Sequence, residues 1–106
     1  MNEAWTKAEK QIARRAFDLA YDRECRAIAA EVRKRLNMAQ EAKDIWALHD
    51  FLSKRRQQID HDYDFRYSAL TMVFGLLMRR KWLSEEDLHG LSDDKLMVIR
   101  NIASTP

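Results

Sequence analysis

The residues in this 106-residue chain best equipped for chemistry are three histidines, one cysteine and the acids beside them. His61 lies in the run Asp60-His61-Asp62-Tyr63-Asp64, whose carboxylates suggest a metal site. On a helix, consecutive side chains point in different directions, so these neighbours do not converge on one ion. A solvated helix end is the better reading. His49 adjoins Asp50 but has no obvious nucleophile in reach, and the pair is not half of a catalytic triad. The single Cys25 excludes an internal disulfide and a cysteine metal cluster, which points to a reducing compartment. Three basic runs, Arg33-Lys34-Arg35, Lys54-Arg55-Arg56 and Arg79-Arg80-Lys81, permit an anion- or nucleic-acid-binding alternative. Acidic neighbours dilute each run and no recognition motif accompanies them. A small helical dimeric mutase would have this size and helicity, but its spacing of arginines and acids is not recognisable. We expect no enzyme activity, no catalytic residue, no metal and no cofactor.

The stretch from Asp44 to Arg56 carries a different kind of chemistry, that of protein contact. At 100° per residue, Leu48, Phe51, Leu52 and Ile59 share one side of a helix. Trp46, His49, Asp50, Ser53, Gln57 and Asp60 share nearly the opposite side, with Arg56 at its edge. Tryptophan and arginine anchor protein interfaces because each buries a large surface and still offers hydrogen-bond donors. Asp50 and Arg56 add one charge of each sign to orient a partner. The alternative is that Trp46 packs into a helix seam and the polar residues are merely solvated.

The elements that must hold these residues are helices. Two glycines and a single, terminal proline leave little to interrupt them. Hydrophobic residues at 46% and charged residues at 34% describe a folded chain, long enough for one domain with a modest core. The net charge of +2 is spread along the sequence, which disfavours a nucleic-acid surface. The N-terminus MNEAWTKAEK has no apolar stretch after its charges and is not read as a signal peptide. The longest apolar run, 69–78, falls short of the roughly 20 residues of a membrane span, so a cytoplasmic protein is expected.

Thr6 and Glu9 form a capping box that opens a first helix, with an apolar stripe through Ile12, Phe17, Tyr21, Ile28, Val32 and Leu36 and a stop near Asn37. A second helix is expected over about 39–62 and a third, largely enclosed, over about 64–80. Ser84 with Asp87, and then Ser92, cap two short helices, each stapled by leucines: Leu83 with Leu88, and Leu91 with Leu96. Gly90 stands between them, where a helix end favours a left-handed residue. A helix of about 30 residues spans roughly 45 Å and outruns a 100-residue globule, whose radius of gyration is about 13 Å. Ala13, Ala16, Ala20, Ala27, Ala29 and Ala30 favour close helix approach, so pairing of this arm with a second copy is expected. A monomer whose arm lies along its own second helix is the alternative.

The stretch WALHDFLSKRRQQIDHDYDFR resembles the second helix of the fluorescence recovery protein family, cyanobacterial regulators with relatives in other bacteria. The likeness runs along nearly the whole chain. It takes in Trp5, Ala8, Glu9, Phe17, Ala20, Tyr21, Arg23 and Glu24, the dense block from Trp46 to Leu70, Val73-Phe74, and the later Glu85-Glu86-x-Leu and Asp94-Lys95 patterns. The resemblance implies an all-α homodimer in one domain, 1–106, with stalk helices over 1–62 and a small helical head over 63–106. It implies binding to the C-terminal domain of the photoactivated, red orange carotenoid protein, faster return to the orange form, and an end to phycobilisome quenching. The family's contact patch maps onto Trp46, His49, Asp50 and Arg56. Its dimer seam includes Ile45, with Leu48, Phe51 and Leu52 on the same helix. Contacts in the head map onto Met72 and Val98, where cyanobacterial members carry an aromatic residue and a lysine. Those two departures leave open a divergent helical adaptor with another protein partner.

Overall fold

Thr6 starts the first helix as its spacing predicts. The Glu9 backbone N–H donates to Thr6 Oγ1, and the Thr6 N–H donates back to Glu9 Oε1, each at 3.1 Å. This satisfies two of the donors that a helix N-terminus leaves unpaired. The computed structural model describes residues 4–106; residues 1–3, part of the stretch read for a targeting signal, lie outside the described residues. Helix α1 covers Lys7–Met38, α2 Ala42–Asp62, α3 Leu70–Arg79 and α4 Asp93–Ser104, with a single 3-10 turn at Glu85–Leu88. There is no strand among the described residues, so the fold is all-α.

The core joins the two ends of the chain. Ala13, Ala16 and Ala20 of α1 are fully buried and, with Phe17, face Leu70, Val73, Phe74, Leu77, Leu88 and Ile99. The small residues expected to favour pairing of copies thus serve, in these three cases, the chain's own core. The staples form as expected: Leu83, Leu88 and Leu91 are buried and Leu96 packs against them. Ser92 Oγ accepts from the Lys95 N–H at 3.3 Å. Gly90 sits at φ 105°, a left-handed conformation that favours glycine, and the tip of the Ile12 side chain packs close to its Cα.

The third helix is shorter than expected, beginning at Leu70 and not at 64. The reason is aromatic packing. Phe65 stands edge-on to Phe17 with ring centroids 4.9 Å apart, Tyr67 packs on Trp5, and Trp5 Nε1 donates to the Tyr67 carbonyl at 3.2 Å. Residues 63–67 are thereby drawn out along α1, where burial of large rings outweighs helix propensity. The second helix begins at Ala42, because the Asp44 carboxylate accepts from the Gln40 and Glu41 N–H groups and fixes the turn before it. At the far end of α3, Lys81 adopts φ 69°. The Trp82 N–H reaches the Leu77 carbonyl and the Lys81 N–H that of Met78, a Schellman closure in which lysine holds the usual glycine position.

Glu9 also reaches across the fold. Its Oε2 accepts from the Ser92 N–H at 2.9 Å, and its carboxylate takes Lys95 Nζ at 3.2 and 3.3 Å, both partners buried. One carboxylate therefore serves the N-termini of α1 and α4, where the helix dipoles favour negative charge. Burial alone would raise its pKa; the Thr6 and Ser92 backbone donors and Lys95 outweigh that and hold it below the usual glutamate value. Because the folded value is the lower one, this stability is present above the unfolded pKa and is lost as pH falls through the folded one. The urea midpoint should drop as pH is lowered from about 5 toward about 3, and Glu9→Gln should flatten that part of the profile. Lys95→Met should destabilise by about 3 kcal/mol by stranding a buried carboxylate. A loss within about 0.5 kcal/mol, the size typical of plain surface changes, would contradict the assignment.

Candidate functional site

Helix α2 is anchored to α1 at its C-terminal end and progressively uncovered toward its N-terminal end. At the anchored end Ile59 is buried, Arg55 Nη2 donates to the buried Glu24 at 2.7 Å, and the Tyr63 hydroxyl donates to the other Glu24 oxygen at 2.8 Å. Burial, with Glu24 beside it, pushes the Tyr63 phenol far above its ordinary pKa. Further along, Leu48 and Phe51 are half-buried, and Arg35 lies 3.9 Å over the Phe51 ring. Leu52 and Ile45 are 40% and 44% exposed. The apolar side read as core is therefore closed only in part by the chain itself.

On the opposite side Trp46 is 65% exposed, which excludes its packing into a seam within this chain. Its ring meets His49 edge-on at 6.4 Å, and His49 Nδ1 lies 3.5 Å from Asp50 Oδ1. One and a half turns further, Arg56 Nε donates to both Asp60 oxygens at 3.1 Å. Trp46, His49, Asp50 and Arg56 thus lie along one solvent-facing side of α2. Met72 and Val98, on α3 and α4, are 53% and 39% exposed.

The acids around His61 each answer to an arginine. Asp60 pairs with Arg56, the buried Asp62 with Arg80, and Asp64 with Arg66. The Arg66 guanidinium beside Asp64 holds that carboxyl below its usual range. Each basic run has at least one arginine engaged: Arg35 with Glu31, Arg55 with Glu24, and Arg79 with the Ile102 carbonyl. Guanidiniums committed in this way are not a free stripe for phosphates. No helix among the described residues is long and apolar enough to cross a membrane.

A groove that sequence spacing does not reveal opens between α1 and α2 beside Arg56. Its volume is about 330 Å³, and it is lined by Phe17, Asp18, Tyr21, Ile59, Asp60 and Tyr63. Tyr63 stands edge-on to both Phe17 and Tyr21, with centroids 5.4 Å apart in each case. The groove needs the loop after α2 to bring Tyr63 back onto α1, a contact across about forty residues.

A sequence model described as "Photoprotection regulator fluorescence recovery protein" matches residues 5–103. The chain is 37% identical over 99 residues to the fluorescence recovery protein of Synechocystis sp., covering 93% of this chain and 91% of that protein. Its fold matches the solved fluorescence recovery protein of Fremyella diplosiphon at a TM-score of 0.91 and 40% identity, over 96% of this chain and all of that one. The solved Synechocystis sp. protein matches at 0.91 and 36%, with the same coverage. The chain belongs to the fluorescence recovery protein family of photoprotection regulators.

Because Trp46, Asp50 and Arg56 project into solvent, away from the covered face, the fold does not depend on them. Alanine at any one of the three should leave urea-unfolding stability within about 0.5 kcal/mol of the parent. Phe51→Ala, on the half-buried side, should lose clearly more. A Trp46→Ala protein that unfolds like Phe51→Ala would place Trp46 in a packing role.

Proposed function

We propose that this member of the fluorescence recovery protein family binds the photoactivated, red form of an orange carotenoid protein. In this reading it engages that partner's C-terminal domain, speeds return to the orange resting form and so ends phycobilisome quenching. The observation that carries the proposal is the exposed Trp46, an apolar anchor on a polar helix side, with Asp50 and then Arg56 following it along the helix. No bond chemistry is required. A protein that binds states on the path back to rest more tightly than the red state lowers the barrier between them, by an amount set by that difference in affinity. His49 lends Trp46 a neighbouring ring, and Met72 and Val98 offer a second contact from the other end of the fold.

We place the protein in the cytoplasm as a homodimer paired through Ile45, Leu48, Phe51 and Leu52. Support comes from the incomplete cover over those side chains and from the elongated shape, 54 × 25 × 22 Å with a radius of gyration of 16.6 Å. That radius exceeds the roughly 13 Å of a compact 100-residue domain. A second reading, a helical adaptor for a different protein, is favoured by Met72 and Val98, where cyanobacterial relatives carry an aromatic residue and a lysine.

Dark recovery of a photoconverted orange carotenoid protein tests the first reading. The wild type should accelerate it, and Trp46→Ala or Arg56→Ala should abolish the acceleration while remaining helical. Loss of a central anchor corresponds to about 2 kcal/mol, roughly thirtyfold in affinity. Wild type that neither binds nor accelerates any carotenoid protein would leave the adaptor reading. Light scattering should give twice the chain mass for the wild type, falling toward the single-chain mass for Ile45→Glu, which puts a charge into a desolvated seam. A monomeric wild type at micromolar concentration would remove the dimer.

A further inference from the structure

We infer that the groove between α1 and α2 receives an arginine side chain of the partner protein. It thereby extends the Trp46 patch toward the core; the inference deepens the protein-binding reading and names what the partner must present. The groove has a floor of rings and a rim of acids. Phe17, Tyr21 and Tyr63 line its inside, and Asp18 from α1 and Asp60 from α2 stand on opposite walls. Tyr21 is 47% exposed, so its ring is open to an incoming group.

The two carboxylates are engaged but not exhausted. Arg14 Nη2 reaches Asp18 Oδ1 at 3.0 Å, and Arg56 approaches Asp60 through Nε. Neither arginine is among the lining residues, although Arg14 covers both the Phe65 ring at 3.9 Å and the Phe17 ring at 5.0 Å. Each carboxylate oxygen has two lone pairs, so capacity for further donors remains. With Arg14 already over Phe17, a cation entering here meets the two carboxylates and the exposed Tyr21 ring.

Arginine suits this lining better than lysine. Its planar guanidinium can lie on a ring and reach carboxylates at its edges, where an ammonium offers a strongly hydrated point charge. The chain already makes such stacks, with Arg14 on Phe65 and Arg35 on Phe51. Asp60 links the groove to the patch, because it lines the groove and binds Arg56. A partner crossing this face would meet Trp46, then the Arg56–Asp60 pair, then the groove.

Two measurements test this. The first titrates the full chain with acetyl-Gly-Arg-Gly-amide and follows the aromatic NMR signals of Phe17, Tyr21 and Tyr63. Saturable shifts are expected at these rings, lost in Asp18→Asn/Asp60→Asn and absent with the citrulline peptide of the same shape. Equal shifts with citrulline, or none with arginine, overturn the inference. The second compares the affinity of the wild type and the double variant for the photoconverted carotenoid protein, after circular dichroism shows that the variant is folded. We expect a loss of about tenfold. If Asp60 served only to mask Arg56, the variant would bind as well or better, which also overturns the inference. Should the wild type bind the arginine peptide but no carotenoid protein, the groove stands and the proposed function falls. Should Trp46→Ala abolish acceleration while the peptide produces no shift, the groove alone falls.

Discussion

A helix of 32 residues extends about 48 Å, and the rest of this chain is too short to enclose it along that length. The structure resolves the mismatch by spending its apolar material at one end. Residues 63–104 close over the first half of α1, where three alanines let the later elements come near its backbone. Beyond Arg23, which pairs with Asp87, what remains for the second half of α1 is chiefly α2, held by Glu24, Arg55 and Tyr63 at one point and by the Arg35–Phe51 stack at another. What α2 leaves available for contact with other molecules follows from that unequal cover. Apolar side chains near the hairpin tip stay open on one side of α2, and a tryptophan stands in solvent on the other.

Polar interactions divide in the same way. In the closed part they are buried and shared, as Glu9 is between two helix starts and Lys95, so losing one member disturbs several groups. In the open part they are solvated i to i+4 pairs such as Arg35–Glu31 and Arg56–Asp60, which contribute little to stability. Charges of the second kind can be re-paired with a partner at small loss to the fold. A surface meant for exchangeable binding benefits from that arrangement, and it accords with membership in a family of regulators.

Local signals were legible in the sequence. Thr6 with Glu9, Ser92 and the leucine staples work through contacts three to five residues apart, and each fixed a boundary correctly. The short reach of α3 was not legible, because the rings of Phe65 and Tyr67 find Phe17 and Trp5 from far along the chain, and no periodicity encodes such a meeting. The acidic run at 60–64 showed its composition but not the three arginines that divide it, two of which are near in sequence and one, Arg80, is distant. Trp46 could be placed on its side of α2 by angle alone; its openness to solvent depended on how little of the chain was left to cover it.

The core's construction from the chain's two ends also governs the order in which the molecule can form. Trp5, Ala13, Ala16 and Phe17 wait for Leu70, Phe74, Leu88 and Ile99, and Glu9 waits for Ser92 and Lys95, 83 and 86 positions later. During synthesis, then, α1 and α2 leave the ribosome with the apolar face of α1 still bare. Closure comes only when the last helix emerges. A nascent chain of this kind passes through an open amphipathic hairpin before its last helix emerges, the state in which chaperones or a neighbouring nascent copy would meet it.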